Sequence, residues 1–189
     1  MKIVETALPG VVRIEPQVFG DSRGMFFETW QAQRYQKANI SGPFVQANFA
    51  TSQQSVVRGL HYQLKYPQGK LVWVTKGEVF DVVVDIRLGS STFGQWIGEL
   101  LSDNNHWQLY VPPGFAHGYG VISKTADVQY FCTDFYAPND EYGIQWDDET
   151  LNISWPIATP IVSEKDQAWP CLNAVSETNL PLFKNFSSL

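Results

Sequence analysis

Residues 69–89, GKLVWVTKGEVFDVVVDIRLG, decide the fold class. From Phe80 onward, Phe80, Val82, Val84 and Ile86 alternate with Asp81, Val83, Asp85 and Arg87, the period of two of a pleated strand. One face is wholly apolar, whereas the other mixes valine with charge. That pairing predicts a barrel or sandwich strand facing a partly polar cavity. Similar short runs bounded by Gly, Pro, Asn or Asp recur on both sides: GVVRIEP, FVQANFATS, SVVRGLHYQ, QWIGELLSD, HWQLYVPPG, GYGVIS and ADVQYFCTDFY. The chain therefore reads as all-β. Only residues 28–38 and a single turn at 163–168 look helical.

No linker, low-complexity tract or fixed-period repeat interrupts the 189 residues, so one domain spanning 1–189 is expected, with a more polar tail after Pro170 lying over the surface. Hydrophobic residues at 44% and charged residues at 17%, with 12 Phe, 8 Tyr and 7 Trp, exclude a disordered chain. The net charge of −6 argues against a general nucleic-acid binder or a basic membrane-surface protein. The amino terminus lacks a signal-peptide pattern, the apolar stretches are too short to span a bilayer, and the two cysteines, Cys132 and Cys171, lack CxxC spacing. These features predict a cytoplasmic protein with reduced thiols.

Imidazole chemistry has three candidates, His61, His106 and His117. Pro112, Gly114 and His117 follow the P-x-G-x-x-H order of the second cupin motif. The first motif of a metal-binding cupin wants H-x-H, but the residue two after His61 is Gln63, so a metal ligand set is not expected. His61 and His117 read either as hydrogen-bonded core residues or as reactive ones. Arg58, His61 and Lys70 fall within one hairpin-sized stretch, and two cations beside an imidazole suit an anion. Lys70, after Gln68-Gly69, is alternatively a solvated turn residue. Tyr130 is a buried strand tyrosine or an acid, and Tyr136 is core or a stacking plate. Asp166 lies three residues after Ser163, the spacing of a helix cap. Arg23 and Glu28 read equally as a surface ion pair.

The strings VFGDSRGMFFETW, VVRGLHYQ, QGKLVWVTKGEVFDVVVDIR, STFGQW, QLYVPPGFAHGYGV, TDFYAPNDEYGIQWDDETLNISWP and SEKD, in this order to about residue 170, resemble the dTDP-4-dehydrorhamnose 3,5-epimerase family. The resemblance implies a cupin-type jelly roll and a cofactor-free homodimer whose first strands reach the partner's site. The substrate would be a dTDP-sugar, and the product dTDP-4-dehydro-L-rhamnose, for surface polysaccharide. By the same resemblance His61 is the base, Asp166 its orienting carboxylate, Tyr130 the opposing acid and Lys70 the holder of the sugar C4 oxygen. Arg58, His117, Gln46, Ala47, Asn48, Glu141 and Lys165 match substrate-contacting positions. Arg23, Phe26 and Glu28 match positions meeting substrate through the dimer contact, and Tyr136 the tyrosine stacked on thymine.

The chain departs from the family pattern at Ala47, Phe49 and Ala50, where Asp, His and Ser are common. It departs again at Trp73, commonly Arg, and at His106-Trp107, commonly Lys-Arg. The chemistry agrees with the resemblance, because inverting a carbon beside a ketone needs a base, an acid and an enolate stabiliser. No GxGxxG holds a nicotinamide. The rival readings are a single-centre epimerase of a related nucleotide deoxysugar, a non-catalytic cupin binding module and a metal-dependent cupin oxygenase.

Overall fold

The structure, a computed structural model, describes residues 1–40 and 42–186; the last three residues of the expected tail, 187–189, lie outside the described residues. The chain begins with strands β1 (Lys2–Glu5) and β2 (Val12–Glu15), a small hairpin of β3 (Phe19–Asp21) and β4 (Gly24–Phe26), and a short helix α1 (Ala32–Gln36). The body follows: β5 (Gln46–Gln53), β6 (Val56–Gln63), β7 (Lys70–Lys76), β8 (Glu78–Asp85), β9 (Trp96–Ser102), β10 (Gln108–Val111), β11 (Phe115–Val121) and β12 (Thr125–Cys132). Strands β13 (Glu141–Gly143) and β14 (Ile161–Val162) and helix α2 (Glu164–Gln167) complete it, with short 3-10 turns in the tail.

Two sheets face each other as a jelly roll. One is ordered β1-β2-β10-β7-β12-β5, the other β13-β6-β11-β8-β9 with β14 parallel to β6. The decisive stretch splits at Gly77, whose φ of +79° makes the corner that carries the chain from β7 in one sheet to β8 in the other. A side chain there would run into the Thr125 carbonyl and the Ser123 hydroxyl, so glycine is required. For the same topological reason β6 and β7 do not form a hairpin; they lie in opposite walls.

Strand alternation sorts the side chains into three apolar layers. Val72 and Val74 of β7 meet Val79 and Val83 of β8, Leu109, Phe115, Tyr119 and Val128 between the sheets. Leu71 and Trp73, on the other face of β7, pack with Ile14, Ile40, Tyr110 and the buried Tyr35 of α1. The outward face of β8, Val82, Val84 and Ile86, is covered by Leu60, Ile144, Leu151, Leu172 and Leu180. The mixed face of β8 is thus the barrel interior, as its valine-and-charge pattern predicts. The tail is more than surface drapery: Leu172 and Leu180 are buried on the outer apolar face, each worth roughly 1.5–3 kcal/mol.

The helix expected over 28–38 is shorter, because Gln31 caps it by accepting from the Arg34 N–H at 2.6 Å. Tyr35 anchors it through a 2.6 Å hydrogen bond to Gln108 Oε1. Among the described residues no helix is long and apolar enough to cross a membrane.

Candidate active site

On a regular strand, residues three apart point to opposite faces. Arg58 and His61 nevertheless face the same interior, and a bulge is the cause. His117 of β11 pairs with His61, yet Tyr119, two residues on, pairs with Arg58, three residues back. The extra residue on β6 reverses the alternation. It is accommodated by two glycines in close contact. Gly59 has φ +118°, and a Cβ on it would lie 2.6 Å from Gly118 Cα; a Cβ on Gly118 would strike the Arg58 carbonyl.

The interior so formed holds two adjoining lobes of about 280 and 290 Å3, both lined by His61, Lys70, Tyr130, Tyr136 and Glu141. The first adds Gln46 and Asn48, the second Arg58, His117, Lys165 and Asp166. A separate, larger cavity of about 500 Å3, lined mostly by the amino-terminal segment, carries no comparable chemistry. Among its lining residues Arg87 is the sole cation, and it is committed to Asp85 at 2.7 Å.

Two histidine–aspartate pairs stand side by side. His61 Nε2 is 2.6 Å from Asp166 Oδ1, and the Gly59 N–H donates to Asp166 Oδ2 at 3.3 Å. Burial works to raise the Asp166 pKa, but the bonds and charge from His61 and the Gly59 bond outweigh it, holding the carboxyl below its usual range. With the proton on Nε2 donated to Asp166, Nδ1 of His61 keeps a basic lone pair. Asp166 reaches this position because the Ser163 hydroxyl accepts from its N–H at 3.1 Å and starts α2. The cap and the dyad are therefore compatible roles of one turn. His117 Nε2 lies 2.8 and 3.0 Å from the two oxygens of Asp81, both residues buried.

Facing them from the sheet that contains β5, β7 and β12 are Lys70 of β7 and Tyr130 of β12. Burial lowers the Lys70 pKa, with Cys132, Asp81 and Glu141 opposing that effect. Among the described residues its ammonium has neither a hydrogen-bond nor an ion-pair partner. Burial pushes the Tyr130 phenol up to about 12, so it stays protonated at neutral pH. At the mouth Tyr136 donates from its hydroxyl to Glu141 Oε2 at 2.6 Å, Lys165 pairs with Glu141 Oε1 at 2.7 Å, and Gln46 Oε1 accepts from the Tyr136 N–H at 2.8 Å. Arg58 reaches across to Ser52 Oγ at 3.0 Å. A basic nitrogen on one wall, with a protonated phenol and an unpaired ammonium on the other, can move protons at carbon beside a carbonyl.

The sequence profile of dTDP-4-dehydrorhamnose 3,5-epimerase matches residues 5–174. The chain belongs to this family. It is 50% identical over 169 residues to the dTDP-4-dehydrorhamnose 3,5-epimerase of Pseudomonas aeruginosa, covering 88% of this chain and 93% of the relative. Among solved structures, the dTDP-6-deoxy-D-glucose-3,5-epimerase of Legionella pneumophila in complex with dTDP-4-keto-L-rhamnose superposes with a TM-score of 0.93 at 49% identity, covering 96% of this chain and 97% of that one. A 3'-monoepimerase from Streptomyces bikiniensis in complex with dTDP-quinovose gives 0.92 at 29% identity, covering 97% and 94%.

Not every residue matched to the epimerase pattern lies in the cavity. Gln46, Asn48 and Ser52 of β5 turn inward, so Ala47 points outward and is exposed, as does Phe49 at 61%. The alternation of the strand, not its sequence neighbours, decides this. Ala50 is on the inward face and lines the second lobe. Arg23 and Phe26 sit on the β3–β4 hairpin, which pairs with neither large sheet, and Phe26 is 71% exposed. Arg23 pairs with Asp21, and Glu28 pairs with Arg34 at 3.2 Å, so the Arg23–Glu28 pair entertained from sequence is not formed. Two residues that touch cavity-lining side chains were not marked as candidates by sequence reading. Cys132 sits across from Lys70 with its sulfur 3.6 Å from Asn48 Nδ2, and Trp169 stacks edge-on to His61.

Proposed function

We propose that the protein epimerises dTDP-4-dehydro-6-deoxy-D-glucose at C3 and C5 to dTDP-4-dehydro-L-rhamnose, with His61 as base, Tyr130 as acid and Lys70 as enolate stabiliser. The observation that carries the reading is the placement of His61 and Tyr130 in opposite walls of one cavity. Inversion requires proton removal from one face of the carbon and return to the other. In the proposed cycle His61 Nδ1 takes the proton from C3, and the electron pair moves onto the C4 oxygen. Lys70 Nζ donates a hydrogen bond to that oxygen as its charge grows, and Tyr130 delivers a proton from the opposite face. Asp166 holds the imidazole tautomer and stabilises the imidazolium. The C4 ketone acidifies C5 equally, so a ring flip brings the second centre to the same groups.

Around this centre, Arg58 and His117 are assigned to the diphosphate, Tyr136 to stacking on thymine, and Gln46, Asn48, Glu141 and Lys165 to the nucleotide-sugar mouth. Arg58 suits the diphosphate because its planar fork matches phosphate oxygens. The exposed β3–β4 hairpin supports a homodimer in which Arg23, Phe26 and Glu28 meet the substrate of the neighbouring copy. A nucleotide-sugar substrate and two free thiols support a cytoplasmic site of action.

The test is turnover of the 4-keto-6-deoxy sugar nucleotide in deuterated water with no added cofactor. Deuterium is expected at both C3 and C5 by NMR. Label confined to C3 would make the protein a single-centre epimerase, and no label with a folded protein would overturn the reading.

A further inference from the structure

Strand β13 lies beside β6, and Gly143 is the Cα partner of His61. A side chain at 143 would stand next to the imidazole, but there is none. The indole of Trp169 fills that place: a Cβ on Gly143 would lie 2.5 Å from Trp169 Cδ1, Cε2 and Nε1. From this seat the indole meets the His61 ring edge-on, with centroids 6.4 Å apart and planes at 70°. Its segment is pinned on both sides, by α2 before it and by the Pro170 carbonyl, which accepts from the Gln145 N–H at 2.9 Å. The indole Nε1 is buried, and among the described residues no conventional hydrogen bond reaches it. A buried N–H without an acceptor is costly and calls for an explanation.

We propose that Trp169 is a positioning residue of the proton-transfer site: seated on Gly143 outside the cavity, it braces the His61 ring and turns its indole N–H toward the Asp166 carboxylate as a third, long donor beside His61 and Gly59. This rests on the reading of His61 and Asp166 as the base and its orienter. Against burial, which disfavours the charge, the Asp166 carboxyl is held in its ionised form by His61 and Gly59 and, to a smaller extent, by the Trp169 N–H. A braced ring keeps Nδ1 aimed at the sugar carbon, and a further donor fixes which carboxylate oxygen faces Nε2. Neither effect touches substrate, so both act on turnover rather than on binding.

Two variants separate the brace from the N–H. Trp169→Phe keeps an aromatic plate and removes the donor; Trp169→Ala removes both. We expect Trp169→Phe to lower kcat about tenfold with KM within twofold of wild type, as for loss of one weakened bond to a charged group, and Trp169→Ala to lower it further. Independently of activity, a 15N-indole NMR spectrum identifies the Trp169 resonance as the one missing in Trp169→Phe. That resonance should be protected from exchange and should move in Asp166→Asn. A resonance indifferent to Asp166→Asn, a wild-type kcat in Trp169→Phe, or a loss carried by KM or thermal stability alone would overturn the assignment. An inactive wild-type protein would instead overturn the functional reading, while the indole resonance still reports whether the contact exists.

Discussion

The interior face of β8 carries two buried carboxylates, Asp81 and Asp85, four residues and about 13 Å apart along the strand. Asp85 is saturated. It accepts from Arg87 Nε at 2.8 Å and Nη2 at 2.7 Å, from Ser90 and Thr92 hydroxyls at 2.6 Å each, and from the Arg87 N–H at 3.0 Å. The Arg87 guanidinium in turn lies 4.0 Å over the Phe115 ring. At the other end, among the described residues, Asp81 is bonded only to His117, which lines the cavity where Lys70 stands without a hydrogen-bond or ion-pair partner. Both ends bury charge, yet only one satisfies it within the protein. The difference separates charge that stabilises the fold from charge kept available for a substrate.

The contrast is broken most severely at the open end. Lys70→Ala should cut kcat a hundredfold to a thousandfold, because the lost donor acts on charge that exists only in the enolate. Its binding of dTDP by calorimetry should change little, whereas Arg58→Ala should weaken that binding heavily. The reverse pattern would exchange their roles.

At the closed end, Asp85→Asn should leave kcat unchanged and lower unfolding free energy by about 3 kcal/mol in urea titrations, since it strands the buried Arg87. A loss of turnover without a loss of stability would dissolve the distinction between the ends. The pH dependence sharpens the same comparison with a smaller effect. Burial raises the Asp85 pKa, but Arg87, Ser90 and Thr92 outweigh it, so the folded pKa lies below the unfolded one. The stabilisation is complete above the unfolded value of about 3.9 and is lost as pH falls through the folded value. Wild type should therefore lose more stability than Asp85→Asn as pH falls below that unfolded value.

Much of this was legible before any coordinates. The alternation from Phe80 to Ile86 identified β8 and its interior face, and the crowding of Arg58, His61 and Lys70 picked out three residues that line one cavity. What sequence could not supply was the route by which they meet. Arg58 and His61 share a face only because of the Gly59 bulge, and Lys70 faces them because the chain changes sheets between β6 and β7. Asp166 showed its capping role by spacing, while its bond to His61 spans 105 residues and has no local signature. Trp169 gave no signal at all, since its place is defined by the missing side chain of Gly143. Ala47 is the opposite case: it adjoins cavity-lining residues in sequence, but its side chain alternates away from them in the strand.

Deuterium exchange measured alongside inversion in His61→Asn and Tyr130→Phe tests the two-wall arrangement most directly. With folding verified by circular dichroism, His61→Asn should exchange at neither carbon, because no carbanion forms without the base. Tyr130→Phe should still exchange, since the proton on His61 can swap with solvent and return to the face it left, while productive inversion falls. A folded His61→Asn protein that exchanges at the wild-type rate would place the base elsewhere and contradict the account.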